Sequence, residues 1–328
     1  MRILLSGVLA LSLSLSWLAA EEPKEVRTIA FASCLKQDLP APALQSVVDC
    51  WPDVFVWMGD NVYADTEDMA VMRSKYDFVR SLAPVRKLWR VSTVVGTWDD
   101  HDYGANDYGK EYPMKEESQQ LFLDFIGEPA DSERRRQEGV YGLHDLGTEG
   151  RRVRVILLDT RYHRDPVGSD GTMLGELQWR WLERALKESP AQVNVLVSSI
   201  QVLASEHRFE KWSNFPRERA RLLALLARPD IPPVVVVSGD RHMSEISRDD
   251  ESCGYPLYDI TSSSLNLPLG SGPEPNRYRV GELFRPSNFG TLSLDWSHQP
   301  PVVTACIRDE RGAPQRAVSF RLERRTNG

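Results

Sequence analysis

Five short stretches of this chain end on side chains that can bind metals or move protons: Ser33-Cys34, Gly59-Asp60-Asn61 with Tyr63 shortly after, Asp99-Asp100-His101-Asp102, Asp159-Thr160-Arg161, and Gly239-Asp240-Arg241-His242. Each follows a run of apolar, largely β-branched residues, at 27–32, 54–58, 91–97, 153–158 and 234–238. Such runs read as buried strands, and open α/β sheets place ligand sites at the carboxyl ends of their strands. Several carboxylates gathered at one sheet edge repel one another and raise each other's pKa unless a cation compensates. Carboxylates suit hard cations, an imidazole suits transition metals, and a thiolate with a phenolate suits a strongly polarising ion, so the mixture points to more than one metal. A multi-metal site can hold a water as hydroxide near neutral pH and clamp the attacking and leaving oxygens of a phosphoryl group. Two rivals stand beside this reading. Paired carboxylates can act as the acid and nucleophile of a secreted glycoside hydrolase, which leaves Cys34, Tyr63 and His242 without a role. Residues 99–102 can also form a calcium-binding structural loop in a noncatalytic module.

The elements that must position these residues alternate. Helical periodicity over 68–81, 115–126, 174–188 and 217–228 separates the apolar runs, with a further strand-like run at 193–198. That order predicts an α/β layered fold. The tail differs: 290–296, 302–308 and 317–322 are strand-like, with a turn at 309–312, which predicts a closing antiparallel hairpin. No internal repeat or low-complexity tract divides the chain, so one catalytic domain is expected over 21–328. Residues 1–20 read as a signal peptide: Arg2, an apolar run, then Ala19-Ala20. The apolar run is short for a membrane span, which needs about 20 residues, so export to the periplasm or the extracellular space without an anchor is expected. A net charge of −7 and a pI near 5.5, with no basic stripe interleaved with aromatics, argue against a nucleic-acid surface. Four cysteines, at 34, 50, 253 and 306, make at least one disulfide the default in an exported protein.

The ordered set Ser33-Cys34, Met58-Gly59-Asp60-Asn61-Val62-Tyr63, Thr97 through Asp107, Leu158-Asp159-Thr160-Arg161-Tyr162 and Ser238-Gly239-Asp240-Arg241-His242 resembles the motifs of PhoD-like metallophosphatases (alkaline phosphatase D), over about 27–267. The resemblance implies a metallophosphoesterase-type four-layer αββα sandwich, two central mixed sheets flanked by helices, holding ferric iron and calcium. It implies Cys34 and Tyr63 as iron ligands, Asp60 as the bridging carboxylate, Asp100 and Asn106 near the second metal, and Asp240 and His242 as ligands from the last motif. The activity implied is metal-dependent hydrolysis of phosphomonoesters or phosphodiesters, with a phosphodiesterase or phospholipase-type reaction on the same fold as the alternative. An added N-terminal β-domain and a long C-terminal extension, both carried by the best-known members, are not expected here.

Within that frame the planar forks of Arg161 and Arg241 suit phosphate oxygens. His101 either protonates the leaving group or positions it. His207 and Asn214, in the loop beyond 193–198, are candidates to line the pocket, whereas His144 and His163 are expected on surface loops. Cys34 is expected as a metal ligand rather than paired with Cys50, because coordination and disulfide formation exclude each other at one sulfur. Cys253 with Cys306 is then the expected disulfide.

Overall fold

The computed structural model describes residues 24–325, so the expected signal peptide lies outside the described residues. The chain opens with β1 (Thr28–Ala32), α1 (Pro42–Asp49) and β2 (Val54–Met58), followed by α2 (Met69–Ser81), α3 (Ala83–Val91), β3 (Thr93–Thr97), α4 (Asp100–Tyr103) and α5 (Lys115–Ile126). Next come β4 (Gly142–Thr148), β5 (Arg151–Leu157), α6 (Gly175–Lys187), β6 (Val193–Ser198), α7 (Pro216–Ala227) and β7 (Val234–Ser238). β8 (Ser244–Asp249), β9 (Leu257–Ser262), β10 (Arg279–Phe284), β11 (Asn288–Asp295), β12 (Val302–Asp309) and β13 (Pro314–Arg321) complete it.

These strands form two mixed sheets, ordered β13-β12-β11-β1-β2-β3 and β10-β8-β9-β7-β6-β5-β4. Side-chain alternation along the strands sorts the core into three layers. Val54, Val56 and Met58 of β2 face Val153, Val155 and Leu157 of β5 between the sheets. Phe55 and Trp57 point the other way, onto Leu44, Tyr76, Leu88 and Phe125 of α1, α2, α3 and α5. On the far side, Ile156, Leu196 and Val236 meet Trp179 and Leu182 of α6 and Leu222 of α7. The result is the expected αββα sandwich. β1, β2 and β3 run parallel in one sheet, and β5, β6, β7 and β9 run parallel in the other. Their carboxyl ends come together at one edge, where Thr97 Oγ1 donates to the Leu158 carbonyl across the sheets at 2.7 Å.

Several elements depart from the sequence reading. Val91 ends α3 instead of opening a strand. β8 and β9 carry buried polar residues, Glu245 and Asp259, that mask an apolar signature. Both are satisfied inside: Arg279 Nε and Gln201 Nε2 donate to Glu245, and the amides of Val202 and Leu203 donate to Asp259. His144 stands in β4 opposite Val155 rather than on a loop, and burial pushes its pKa down to about 4. The expected Cys253–Cys306 disulfide is not formed, and all four cysteines are free. Cys253 packs in the layer with α7, whereas Cys306 lies on β12 in the opposite sheet, so the layers hold them apart.

Candidate metal centre

Strand ends feed the site. The turn after β1 carries Cys34 (φ 58°), the turn after β2 carries Asp60 (φ 50°), and the turn after β7 carries Asp240 (φ 68°) and His242 (φ 53°). Left-handed backbone costs a non-glycine residue roughly 1–2 kcal/mol, so four such residues at one edge are a concentration of strain of the kind found at functional sites. Gly59, at φ 101°, sits so close to Asp99 that a Cβ would lie 2.5 Å from the Asp99 Cβ, which leaves glycine as the residue that fits there.

Two groups of side chains meet across Asp60. On one side, Cys34 Sγ lies 3.4 Å from Asp60 Oδ2, and Tyr63 Oη lies 3.1 Å from the same oxygen and 3.3 Å from His242 Nε2. The Leu267 carbonyl accepts from His242 Nδ1 at 2.6 Å, which leaves the Nε2 lone pair directed at the cluster. On the other side, donor atoms of Asp60, Asp99, Asp100 and Asp240 all lie within 4.8 Å of one another, as do those of Asp100, Asp107 and Glu210.

Electrostatics follow from this crowding. Burial, then Cys34 and the neighbouring aspartates, push Asp60 well above the ordinary carboxylate range. Asp240 is raised by burial and by Asp99 and Asp100. Burial lifts the Cys34 thiol to about 11 and raises the Tyr63 phenol far above its usual value. Asp100 is held low despite its burial, chiefly by Arg161 and His101. These groups ionise together only with a multivalent cation among them. The donor set fits such a group: a thiol, a phenol and an imidazole on one side of Asp60, and carboxylates on the other.

The clusters open on a cavity of about 650 Å³ lined by Asp100, His101, Asn106, Asp240, Arg241 and His242 among others. His101 packs against Tyr63 with ring centroids 4.3 Å apart and planes tilted by 34°, and its Nδ1 lies 2.6 Å from Asp65 Oδ1. Arg241 lines the wall, paired with Glu274. Asn106 is on the wall but exposed, its amide donating to Asp107 at 2.9 Å, while the Asp107 amide donates to Asp100 Oδ2 at 2.7 Å. Asp107, at φ 60° and likewise exposed, brings a carboxylate into a cluster with Asp100 and Glu210. Asn214 lines the cavity with its carbonyl held by Lys211, and His207 is buried behind Phe209 outside the lining. Arg161 does not present its fork to the cavity. It is fully buried, with Nε donating to Asp99 Oδ1 at 2.5 Å and Nη2 donating to Glu210. Sequence reasoning missed Asp107 and Glu210. Asp107 closes the motif that begins at Thr97, whereas Glu210 follows β6 in a loop without any motif.

Gln37 and Asp102 hold this geometry from behind. The Gln37 amide clamps the Tyr63 backbone, accepting from its N–H at 2.9 Å and donating to its carbonyl at 3.2 Å. Asp102 accepts from the amides of Asp60, Asn61 and Asp99, which ties the turn after β2 to the turn after β3.

A four-layer αββα sandwich whose strand ends converge on mixed soft and hard metal donors is a metal-binding fold of the metallophosphoesterase type. The chain belongs to the PhoD-like phosphatase family, whose sequence pattern matches residues 29–266. It is 25% identical over 205 residues to alkaline phosphatase D of Bacillus subtilis (strain 168), a match covering 52% of this chain and 35% of that protein. The chain thus matches about a third of that relative's length. The solved structure of PhoD superposes with a TM-score of 0.74 at 19% identity, covering 93% of this chain and 71% of its own. The purple acid phosphatase PPD1 from yellow lupin (Lupinus luteus) seeds gives 0.63 at 12% identity, covering 91% of this chain and 54% of its own. At such identities the structural likenesses speak for the fold.

Proposed function

We propose that the protein is an exported, metal-dependent phosphoester hydrolase acting on small phosphomonoesters or phosphodiesters, with its catalytic unit spanning 21–328. The observation that carries this reading is that Asp60 belongs both to the cluster with Cys34 and His242 and to the cluster with Asp99, Asp100 and Asp240. One carboxylate shared between two donor sets is what a two-cation phosphoryl site requires. Cys34, Tyr63 and His242 would hold ferric iron, since thiolate and phenolate donors suit a strongly polarising ion. Asp100, Asp240 and the all-oxygen group that includes Asp107 and Glu210 suit calcium, with Asn106 close by. When bound, such cations supply an activated water and neutralise charge on the phosphoryl oxygens.

The chain's own residues do the rest. Arg241, steadied by Glu274, offers its guanidinium from the cavity wall to a phosphoryl oxygen. His101 is oriented by Asp65 and by its contact with the Tyr63 ring, and it stands on the lining where a leaving oxygen would need a proton or a donor. Arg161 acts through Asp99 and Glu210 as a positioning residue.

Purified protein assayed against mono- and diesters before and after chelation tests the reading. Activity should vanish with chelator and return with metal, and Asp60→Asn should abolish it with the fold intact. Activity of that variant within about tenfold of wild type, only ~1.4 kcal/mol in barrier, would remove Asp60 from its role. Glycoside hydrolysis that survives chelation would overturn the reaction class.

A further inference from the structure

The cavity is larger than a phosphoryl group needs, and its outer part differs in character from the acidic interior. Three of the chain's exposed large apolar residues ring it: Val167, Phe209 and Leu269, which are 50%, 42% and 52% exposed. Exposed apolar side chains clustered at one mouth mark a surface that meets an organic group. Four guanidinium groups also line this space. Two are neutralised within the protein, Arg241 by Glu274 and Arg164 by Glu210. Arg208 and Arg285 have no carboxylate partner among the described residues. Arg208 lies 5.0 Å from the Phe209 ring centroid, and Arg285 donates to the Gly272 carbonyl. Glu111, another acid on the wall, accepts from the Gly109 amide at 3.1 Å.

Two cations beside an exposed aromatic ring, on a chain of net charge −7, are left without a counter-carboxylate among the described residues. They line the same cavity as the carboxylate clusters, which gather negative charge. Resting on the phosphoester reading above, we infer that the organic part of the substrate carries both an aromatic or apolar face and a second anionic group, bound by Phe209 and by Arg208 with Arg285. A phosphoester whose organic part is a ring bearing a carboxylate or a second phosphate belongs to this class. The scissile phosphoryl then sits at the acidic end, and the second anion at the basic mouth. Guanidinium groups pair with phosphate or carboxylate and also lie flat on aromatic rings, so Arg208 suits either part of such a ligand.

Phosphonates, whose carbon–phosphorus bond this chemistry does not cleave, separate binding from turnover. The metal-loaded full chain is titrated calorimetrically with methylphosphonate, benzylphosphonate, a carboxyalkyl phosphonate and a carboxybenzyl phosphonate, which carry neither feature, the ring, the second anion, and both. The compound with both should bind at least about tenfold more tightly than methylphosphonate, ~1.4 kcal/mol. Arg208→Ala with Arg285→Ala should erase the gain from the second anion while methylphosphonate binds as to wild type. Phe209→Ala, which removes a ring that also carries the Arg241 guanidinium at 4.2 Å, should erase the gain of benzylphosphonate over methylphosphonate measured in that same variant. Equal affinities for the four probes overturn the inference, as do gains that persist in the variants. A protein that ranks the phosphonates as expected but hydrolyses no phosphoester loses the proposed reaction and keeps the binding site. One that hydrolyses phosphoesters without such ranking loses only the inference.

Discussion

Replacing Asp102 with asparagine leaves the side-chain shape unchanged and should loosen two ligand-bearing turns at once. Asp102 is fully buried, and each of its oxygens accepts twice. Oδ1 takes the amides of Asp60 at 3.1 Å and Asp99 at 2.7 Å. Oδ2 takes the Asn61 amide at 3.2 Å and the Asn61 side chain at 2.6 Å. An asparagine there has one oxygen, so its NH₂ must confront one of these donor pairs. Two buried N–H groups then lose their acceptor at about 1–3 kcal/mol each, which sums to about 2–6 kcal/mol. Against the roughly 5–15 kcal/mol that keeps a domain folded, this is a large share. The cost should also depend on pH. Burial lifts the Asp102 pKa from 3.8 to about 7, so the wild-type native state carries this proton below that value and lacks it above. Between about pH 7 and 3.8 the native wild type holds a proton that the unfolded chain does not, so its stability rises as pH falls through about 7, whereas the asparagine cannot titrate; the difference between them should therefore grow on acidification. Chemical denaturation of both proteins at about pH 8 and about pH 5.5, with metal content measured alongside, reads this out. A penalty under about 1 kcal/mol at the higher pH would refute the clamp, and one that shrinks on acidification would refute the raised Asp102 pKa.

Other consequences follow from the same geometry. His207 is buried, and burial together with Arg241 and Lys211 lowers its pKa to about 3. The unfolded chain takes up this proton near pH 6.5 and the native state does not, so stability should fall by about 3 kcal/mol between about pH 6.5 and 4. His207→Phe should flatten that part of the stability curve, and an unchanged curve counts against the buried neutral imidazole. Arg161→Met breaks the buried ion pairs to Asp99 and Glu210 and should cost about 3–5 kcal/mol in denaturant unfolding. A raised KM with unaltered stability would instead return Arg161 to substrate binding. The metal-loaded protein should show a visible charge-transfer band, which Tyr63→Phe shifts or bleaches, while Cys34→Ser lowers metal content. Peptide mapping that finds Cys34 disulfide-bonded in active enzyme would take it out of the site.

Much of this centre is legible in the primary structure because strands announce themselves locally. A β-branched run that stops at a polar turn fixes where a residue emerges, and Cys34, Asp60, Tyr63, Asp240 and His242 all stand directly after such runs. Which way a side chain then points is another matter. It depends on the sign of φ in the turn and on groups arriving from distant segments. Asn106 and Asp107 are neighbours in a recognisable motif, and the left-handed backbone at Asp107 and its amide bond to Asp100 bring that carboxylate into the cluster, with the Asn106 amide hydrogen-bonded to it. Arg161 ends a strand like the others, but Asp99 from β3 and Glu210 from the loop after β6 draw its guanidinium inward, and a buried cation must follow its counter-charges. Glu210 itself carries no local signature, since its role exists only once two sheets have been stacked. Cys253 and Cys306 look alike in sequence, and only the layering sets Cys253, in the turn between β8 and β9, apart from Cys306 on β12 of the other sheet. Local pattern sets the elements and the points where chemistry leaves them, whereas long-range packing, which no single segment encodes, decides which charges meet.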